Sequence, residues 1–494
     1  MPLRPSYDLL IVGGGINGVG IARDAAGRGF SVLLVEQDDL ASHTSSASTK
    51  LVHGGLRYLE NLDFRLVREA LSEREIVLRI ARHIARPIGF VLPLAPHTRP
   101  GWMIRLGLFL YDHLGGRSAL PRSRAVTLDA ESYGAALKPD LKQGFLYSDG
   151  WVDDARLVVL NAIDARERGA DIRTRTRFVA AERAGSAWQA TIAGPDGEKT
   201  TLLARAIVNA AGPWVDGVLR ATGDLTQVRP PRLVKGSHII VPRIHTRDHA
   251  YIFQNADGRV LFAIPYERDF TLIGTTDVEW TGDASAARIS DSEILYLCQT
   301  ASAWLAQPIF PVDVIHSYAG IRALYDDGSS KAARVTRDFH LALDHRDDLA
   351  CVSIFGGKLT TYRRLAEHVL VRLRPYLAKS GPAWTARTPL PGADFKDIEL
   401  LRDDHRARWP FLAADVADRM VRAYGRRMSM ILGDARSMEE LGTNHGYGLT
   451  DAEIDYLVRE EWATSAEDIL WRRSKLGLHL PPEAVAGIQA RVNG

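Results

Sequence analysis

A glycine-rich turn near the start of the chain has the residue types that bind a negatively charged pyrophosphate. Gly13 permits a tight turn, Gly15 lets the backbone approach a phosphate, and Gly18 lets the next helix pack closely on a sheet. Backbone N–H groups and the dipole at the start of that helix favour two negative charges. Glu36 follows where a carboxylate accepts hydrogen bonds from adenosine ribose hydroxyls and repels a 2′-phosphate. The turn residues that we assign to a bound dinucleotide are Gly13, Gly14, Gly15, Asn17 and Gly18.

The elements around this turn have the order that a dinucleotide site requires. Residues 7–12 predict a buried strand before the turn, residues 21–28 predict a helix after it, and residues 31–35 predict a second strand that leads to Glu36. The chain holds a single glycine motif of this kind and no early CxxxxC pair. Enzymes that pass hydride between a flavin and a nicotinamide usually need a second nucleotide fold. The single site therefore favours tightly held FAD, whose electrons leave to another acceptor.

Composition argues against several classes of protein. The chain has 494 residues, of which 46% are hydrophobic and 25% charged, and this indicates two or three globular domains. The net charge of +2 does not point to a nucleic acid. Cys298 and Cys351 form no CxxC pair and the histidines show no metal-ligand spacing, so we expect neither a disulfide framework nor a metal site. No apolar stretch approaches the about 20 residues that span a bilayer, and the early first strand leaves no room for a signal peptide. We expect a cytoplasmic protein.

The rest of the pattern predicts an α/β fold in three parts. Short apolar runs separated by turns between residues 230 and 276 are typical of an antiparallel sheet, and the chain reads as helical beyond residue 395. A buried strand at residues 350–355 leads into a helix and looks like a return to the first domain. We predict a Rossmann-like FAD-binding domain that is split in sequence (1–80, 145–230 and 320–385), an antiparallel-sheet substrate-binding domain (81–144 and 231–319) and a C-terminal helical domain (395–494).

Two helix starts carry local signals. Asp153 stands where a side chain would cap a helix over residues 154–166. Thr450 with Glu453 has the spacing of a capping box, in which each side chain binds the backbone N–H of the other residue. We therefore predict that the side chains of Thr450 and Glu453 stabilise the start of the helix that follows Thr450.

Several segments along the chain resemble the FAD-dependent, respiratory glycerol-3-phosphate dehydrogenases. They are residues 45–59 (SSASTKLVHGGLRYL), 150–157 (GWVDDARL), 235–238 (KGSH), 273–277 (IGTTD), 355–362 (FGGKLTTY) and 466–473 (AEDILWRR). The resemblance covers nearly the whole chain. One departure is visible, because the family usually has proline where this chain has Ala323 after Arg322. Loss of that proline would loosen the turn that carries Arg322 while leaving its guanidinium available.

The resemblance implies an enzyme that oxidises sn-glycerol 3-phosphate to dihydroxyacetone phosphate. Hydride would pass from C2 of the substrate to flavin N5, and the electrons would then pass to a membrane quinone. The sequence does not give the oligomeric state, and a homodimer is one alternative. The resemblance also extends the predicted cofactor site, to Ser45, Ser46, Ser48, Lys50, Ala211, Gly212, Gly357, Lys358, Leu359 and Thr360.

A dianionic alcohol needs a cationic clamp and a proton acceptor. The family comparison puts Arg57, Arg322 and Lys358 near substrate and flavin, each follows glycines in a predicted turn, and an arginine fork matches phosphate oxygens. His238 is the predicted proton acceptor for the C2 hydroxyl, with a structural histidine as the alternative and Arg322 as a rival. Lys358 and the helix that follows it would stabilise negative charge on the reduced flavin. Tyr58 would contact the substrate through its hydroxyl.

A quinone acceptor implies contact with a membrane surface. We expect peripheral association with the cytoplasmic membrane, and two segments are candidates for it, although core packing explains the same residues equally well. The first consists of Trp102, Met103, Ile104, Phe109 and Tyr111 with Arg105, and the second of Arg419, Arg422, Arg426 and Arg427 beside Met420, Tyr424 and Met428.

Three other functions stay open at this point. An oxidase would act on the same substrate but reduce oxygen to hydrogen peroxide. A related flavin amine oxidase is less favoured, because an amine does not require the cationic clamp. A non-catalytic FAD-binding protein would use its C-terminal helices for interaction.

Overall fold

A computed structural model describes residues 3–61, 63–116, 118–223, 230–326, 338–346, 348–377 and 381–494, and within them the side chains of Arg57, Glu60 and Asn61 are not described. The strands are β1 (Ser6–Val12), β2 (Val32–Val35), β3 (Leu51–Val52), β4 (Ala85–Pro93), β5 (Arg124–Thr127), β6 (Gln143–Val152), β7 (Asp171–Arg173), β8 (Arg177–Ala184), β9 (Ala187–Ala193), β10 (Lys199–Asn209), β11 (Arg232–Pro242), β12 (Ala250–Gln254), β13 (Val260–Tyr266), β14 (Phe270–Gly274), β15 (Val278–Glu279), β16 (His316–Leu324), β17 (His340–Arg346) and β18 (Leu349–Phe355).

The helices alternate with these strands and then continue alone to the C-terminus. They are α1 (Ile16–Gly27), α2 (Phe64–Ile80), α3 (Gly101–Leu114), α4 (Asp154–Glu167), α5 (Val215–Ala221), α6 (Asp291–Ser302), α7 (Tyr362–Leu373), α8 (Ile398–Arg408), α9 (Ala414–Tyr424), α10 (Met428–Leu432), α11 (Asp451–Glu461) and α12 (Pro482–Asn493). A 3₁₀ turn over Leu359–Thr361 precedes α7, and a π-helical turn spans Asp468–Arg473.

The first sheet has a parallel centre, as the dinucleotide motif requires. Its described strands run in the order β17-β18-β10-β1-β2-β7, with β8 and β9 as an antiparallel extension of β10. β1 lies between β2 and β10, and both neighbours are parallel to it. These strands are almost continuously apolar because both faces of the sheet are buried: α1, α4 and α7 cover one face, and residues of β8, β9 and α5 pack on the other. β18 returns to this sheet beside β10, as predicted.

The second sheet is built from the short strands predicted between residues 230 and 276 and from earlier segments. Its described strands follow the order β15-β11-β14-β13-β12-β4-β6-β3, with β16 on β11 and β5 on β6. The pairs β11–β14, β13–β14 and β12–β13 are antiparallel, as expected. One pair, β4 with β12, is parallel, so the sheet is mixed rather than purely antiparallel.

The C-terminal part is helical and has its own core. Helices α8–α12 bury a cluster that includes Trp409, Tyr424, Met428 and Tyr456. The predicted fold class is therefore confirmed: a Rossmann-like sheet, a second sheet and a C-terminal helical part. The domain boundaries stay predictions; β3 and β6 lie in the second sheet although most of their residues fall inside the ranges predicted for the first domain.

Local signals differ in how far they hold. Asp153 caps α4, because its Oδ1 accepts a hydrogen bond from the N–H of Arg156 at 3.1 Å. Thr450 is the N-cap residue of α11 but its side chain makes no capping bond. Glu453 instead accepts hydrogen bonds from Arg419 and from Tyr424, so the predicted capping box is wrong.

Candidate active site

Gly13 forms the turn between β1 and α1 in a conformation that favours glycine. Its φ is +115°, and an added Cβ would lie 2.5 Å from the carbonyl oxygen of Ala210. Its N–H donates to the carbonyl oxygen of Val35 at 2.8 Å. The turn is therefore held between the carboxyl ends of β2 and β10, where ligands bind in parallel sheets.

Glu36 lies at the end of β2 and faces the same turn. Its Oε2 accepts a hydrogen bond from the N–H of Gly14 at 2.6 Å, and its Oε1 accepts one from the N–H of Asp38 at 2.9 Å. Burial raises the pKa of the Glu36 carboxyl above its usual value, whereas these two backbone bonds oppose that shift. Each oxygen keeps a further lone pair for a ribose hydroxyl.

A cavity joins the glycine turn to the second sheet. Most of the predicted cofactor residues line it, namely Gly13, Gly15, Asn17, Glu36, Ser45, Ser48, Ala211, Gly212, Gly357, Lys358, Leu359 and Thr360. Those outside the lining are Gly14, Gly18, Ser46 and Lys50. Gly14 and Gly18 shape the turn from behind, since an added Cβ would meet Glu36 or the carbonyl oxygen of Gly13.

These residues fit an adenine dinucleotide. Asn17 donates through Nδ2 to the carbonyl oxygen of Gly356 at 3.3 Å, and within the described ranges its buried Oδ1 has no hydrogen-bond partner. Gly357 has a φ of +98°, and an added Cβ would lie 3.1 Å from Asn17. The two glycine turns, one before α1 and one before α7, therefore leave backbone and one amide oxygen available to a ligand.

The loop before β3 connects the cofactor side of the cavity to the substrate side. Ser45 Oγ accepts a hydrogen bond from the N–H of Ile16 at 3.0 Å, which ties the loop to the start of α1. Ser48 Oγ donates to Asp154 at 2.7 Å. Lys50 does not reach the cavity, because its Nζ donates to Asp154 Oδ1 at 2.8 Å and to the carbonyl oxygen of Ser46 at 3.0 Å. We therefore interpret Lys50 as a residue that shapes the loop.

His238 lies in β11, between β14 and β16, and lines the cavity. Its Nε2 lies 2.9 Å from Thr49 Oγ1, and its ring stacks on that of Tyr318 with centroids 4.9 Å apart. Burial, reinforced by the positive charges of Lys50 and Arg322, holds the pKa of His238 well below its usual range. The imidazole is therefore neutral at physiological pH, as a proton acceptor must be.

Arg322 enters the same cavity from β16, the strand next to His238. Its Nη1 donates to Asp277 Oδ1 at 2.8 Å, and its Nη2 donates to the carbonyl oxygen of Thr276 at 3.3 Å. The guanidinium is about one quarter exposed, with a side-chain accessibility of 27%. Asp277 thus fixes the orientation of the guanidinium fork at the cavity.

Lys358 is a second cation on the cavity wall, and it lies over the ring of Tyr58. Lys358 Nζ lies 3.8 Å from the centroid of the Tyr58 ring, a cation–π contact between segments 300 residues apart. Lys358 is the residue before the 3₁₀ turn, and α7 begins only at Tyr362, so the helix start lies one turn later than predicted. The side chain of Arg57 lies outside the described part of the structure, so its predicted role is neither supported nor opposed.

Two residues that contact predicted site residues were themselves not predicted from the sequence. Thr49 contacts His238, and Asp277 contacts Arg322. Both belong to segments that carry the family resemblance, residues 45–59 and 273–277. Their position in these segments was the signal that could have identified Thr49 and Asp277. Spacing along the chain does not predict that Thr49 contacts His238 or that Asp277 contacts Arg322.

Among the described residues, no helix is long and apolar enough to cross a bilayer. In the second membrane candidate the apolar side chains belong to the core, whereas Arg422 and Arg426 are exposed. Met420, Tyr424 and Met428 are buried in the C-terminal core. Arg419 and Arg427 pair with Glu453 and Glu167.

Comparison with known proteins agrees with this geometry. Residues 8–363 match the model of the FAD dependent oxidoreductase family, and residues 383–492 match the C-terminal domain of alpha-glycerophosphate oxidase. The chain is 53% identical to a glycerol-3-phosphate dehydrogenase of Pseudomonas aeruginosa, over 97% of this chain and 94% of that protein. It is 49% identical to the aerobic glycerol-3-phosphate dehydrogenase of Escherichia coli, over 96% of this chain and 94% of that protein.

Two further similarities bear on the cofactor and the substrate. The glycerol-3-phosphate dehydrogenase of Bacillus halodurans complexed with FAD superposes with a TM-score of 0.74 at 26% identity, covering 99% of this chain and 94% of that one. A D-erythritol 1-phosphate dehydrogenase of Brucella abortus is 48% identical over 96% of this chain and 95% of that protein. The site geometry and these similarities together show that this chain belongs to the FAD-dependent glycerol-3-phosphate dehydrogenases.

Proposed function

We propose that this enzyme oxidises sn-glycerol 3-phosphate to dihydroxyacetone phosphate and passes the electrons to a membrane quinone. When bound, FAD supplies the acceptor for the hydride that leaves C2 of the substrate. The observation that carries the proposal is the meeting of His238, Arg322 and Lys358 in one cavity with the glycine turn of the dinucleotide site. A neutral base and two cations beside a dinucleotide suit a phosphorylated alcohol.

The protein side chains divide the work of binding and proton transfer. Arg322, oriented by Asp277, and Lys358, placed over Tyr58, hold the phosphate dianion by charge-assisted hydrogen bonds. His238 takes the proton of the C2 hydroxyl as the C2–H bond breaks, so the alcohol loses one proton and one hydride. Because the ring is neutral before the reaction, it has a nitrogen free to accept that proton.

Contact with a membrane is proposed for the exposed side of α3. Ile104 and Tyr111, two members of the first predicted segment, are buried against the second sheet. Trp102, Met103 and Phe109 are exposed, and Leu106 joins them on the same side of the helix; Trp102 has a relative accessibility of 68%. Arg105 is also exposed on α3. An aromatic and apolar helix face of this kind with an adjacent cation suits the boundary of a lipid surface.

The reaction is tested by adding substrate to the purified holoenzyme without oxygen. Bleaching of the flavin band at ~450 nm by glycerol 3-phosphate is the expected result, because only hydride acceptance at the cofactor explains it. Glycerol and inorganic phosphate serve as controls that each lack one half of the recognition chemistry. No bleaching would exclude the proposal and favour a non-catalytic FAD-binding protein.

Two further measurements decide the substrate and the acceptor. D-Erythritol 1-phosphate is compared as substrate, since one relative is named for it, and we expect a lower kcat/KM than for glycerol 3-phosphate. Reoxidation of the reduced enzyme is followed with a short-chain quinone and with air. Fast reoxidation by the quinone with little hydrogen peroxide is expected, whereas stoichiometric peroxide would identify an oxidase.

A further inference from the structure

The C-terminal segment over residues 466–473 has no role in the site described so far. It is one of the segments that carry the family resemblance, yet it lies more than 100 residues beyond the last cavity residue. Its side chains point to another contact. Arg472 and Arg473, at the end of the π-helical turn, both reach Asp39 in the loop after β2. Asp39 is three residues beyond Glu36, the predicted ribose ligand.

The contact with Asp39 is a buried, bidentate ion pair. Arg473 donates from Nη1 and Nη2 to the two carboxylate oxygens of Asp39, at 2.7 Å each. Arg472 Nε adds a third bond to Asp39 at 2.6 Å. The side chains of Asp39 and Arg473 have 0% accessibility, so water does not replace either partner.

A second contact of the same segment reaches the neighbouring loop. Asp468 accepts hydrogen bonds from Arg175 at 2.8 and 2.9 Å, and it also pairs with Arg472. Arg175 is in turn held to the first loop, because its N–H donates to the carbonyl oxygen of Asp38 at 2.9 Å. Charges of alternating sign, from Arg175 through Asp468 and Arg472 to Asp39, therefore join both loops to the C-terminal part.

The front of these two loops is the wall of the dinucleotide cavity. Glu36 and Gln37 line it from the first loop, and Thr176 and Arg177 line it from the second. The N–H of Thr176 donates to the carbonyl oxygen of Glu36 at 2.8 Å, so a backbone hydrogen bond joins the two loops directly. Residues 466–473 thus support, from the side away from the cavity, the loops that carry Glu36, the predicted ligand of the adenosine ribose.

We propose that Asp468, Arg472 and Arg473 are positioning residues that hold the adenosine end of the FAD site and thereby set FAD affinity. The inference rests on the FAD site proposed above. A buried ion pair is by itself weak support for stability, because apolar residues often replace one at no cost. Ion pairs of fixed geometry instead give the loops a defined position. A site that is already held in its binding geometry loses less conformational entropy when the ligand binds.

The experiment compares Arg473→Met with Arg419→Met as a matched control. Arg419 also makes a bidentate pair, at 2.6 and 2.7 Å to Glu453, but it joins α9 to α11 inside the C-terminal core. Each substitution removes the bidentate partner of a buried carboxylate and leaves it one other side-chain donor, Arg472 for Asp39 and Tyr424 for Glu453. Both should therefore lower the thermal midpoint of the apoprotein. The measured quantities are the Kd of the apoprotein for FAD and for ADP, which probes the adenosine end alone.

Arg473→Met is expected to raise the Kd for FAD and for ADP in parallel, by about tenfold, while Arg419→Met changes both by less than about twofold. Should Arg473→Met not fold, Arg473→Lys and Asp468→Asn provide milder versions of the same test. Unchanged Kd values in the Arg473 variant would overturn the proposal, and so would an equal loss of affinity in the Arg419 control. Flavin bleaching in the wild-type enzyme is independent of these values, so the two proposals fail separately.

Discussion

Thr49 and His238 are 189 positions apart in the chain, and their side chains meet at 2.9 Å inside the cavity. Thr49 belongs to the loop that also carries the predicted cofactor residues Ser45 and Ser48, whereas His238 lies in the second sheet. Within the described ranges, Nδ1 of His238 has no hydrogen-bond partner, so the bond between Nε2 and Thr49 orients the ring. Because a hydroxyl can donate or accept, this bond fits either tautomer of the imidazole.

Thr49→Val should therefore lower kcat by about tenfold, because the ring loses the bond that orients it. Thr49→Ser keeps a hydroxyl and should retain most of the activity. Steady-state kinetics with glycerol 3-phosphate checks both variants, and KM should change little in either. Equal kcat values in the valine and serine variants would show that the contact is structural.

His238→Asn should lower kcat by about 100-fold or more with a smaller effect on KM, since a positioned general base contributes at least that much. The pH profile gives a second test. The pKa of His238 is lowered by burial and by nearby cations, so the unprotonated base persists as the pH falls through 6.5. We therefore expect kcat/KM of the wild-type enzyme to show no inflection near pH 6.5 that is due to His238. The pH profiles of the wild type and of His238→Asn should then have the same shape around that pH.

Arg322→Met should raise KM for glycerol 3-phosphate by about 10- to 100-fold, because a bound phosphate would lose a charge-assisted partner. Arg232→Met is the matched control, as Arg232 lies in the same sheet and pairs at its Nε with Glu279 at 3.0 Å. Only the Arg322 variant should show the effect. A normal KM would remove Arg322 from the clamp and leave Lys358 and Arg57 as its predicted cations.

Replacement of Trp102 and Phe109 by serine should weaken binding of the protein to anionic vesicles by about tenfold, because two apolar side chains no longer enter the lipid boundary. Leu400→Ser is the control, since Leu400 is exposed to a similar degree on α8, with 64% accessibility. Cosedimentation at low salt measures the effect. If the wild-type protein stays in the supernatant, the membrane proposal is wrong.

The burial of the His83 imidazole should make the free energy of unfolding depend on pH. The residue lies in the loop after α2 and is buried against Gly392, Phe395 and Gly425, and burial lowers the pKa of His83 to about 3. The unfolded chain binds a proton below about pH 6.5 and the folded protein does not, so stability is complete above that pH and decreases as the pH falls towards 3. His83→Phe should reduce the slope by up to about 1.4 kcal/mol per pH unit. Denaturant unfolding at pH 7.5 and 5 compares the two slopes.

Local rules were enough for the dinucleotide turn and for one helix start. Gly13, Gly15, Gly18 and Glu36 act through backbone conformation and short-range offsets, so their spacing predicted β1, α1 and β2 in the right order. Asp153 could be assigned as a cap because the bond it makes lies within one helical turn. The fold class followed from the strand and helix periods together with the family resemblance.

Long-range contacts decided the rest. The spacing of Thr450 and Glu453 predicted a capping box, but Glu453 binds Arg419 and Tyr424, because a charge-assisted bond to a distant arginine is stronger than a local bond to a backbone N–H. The same reason applies to Lys50, which pairs with Asp154 rather than facing the cavity. Sequence therefore determined which chemistry the chain carries, and tertiary structure decided which side chains share a cavity, since periodicity along a chain does not specify contacts between distant segments.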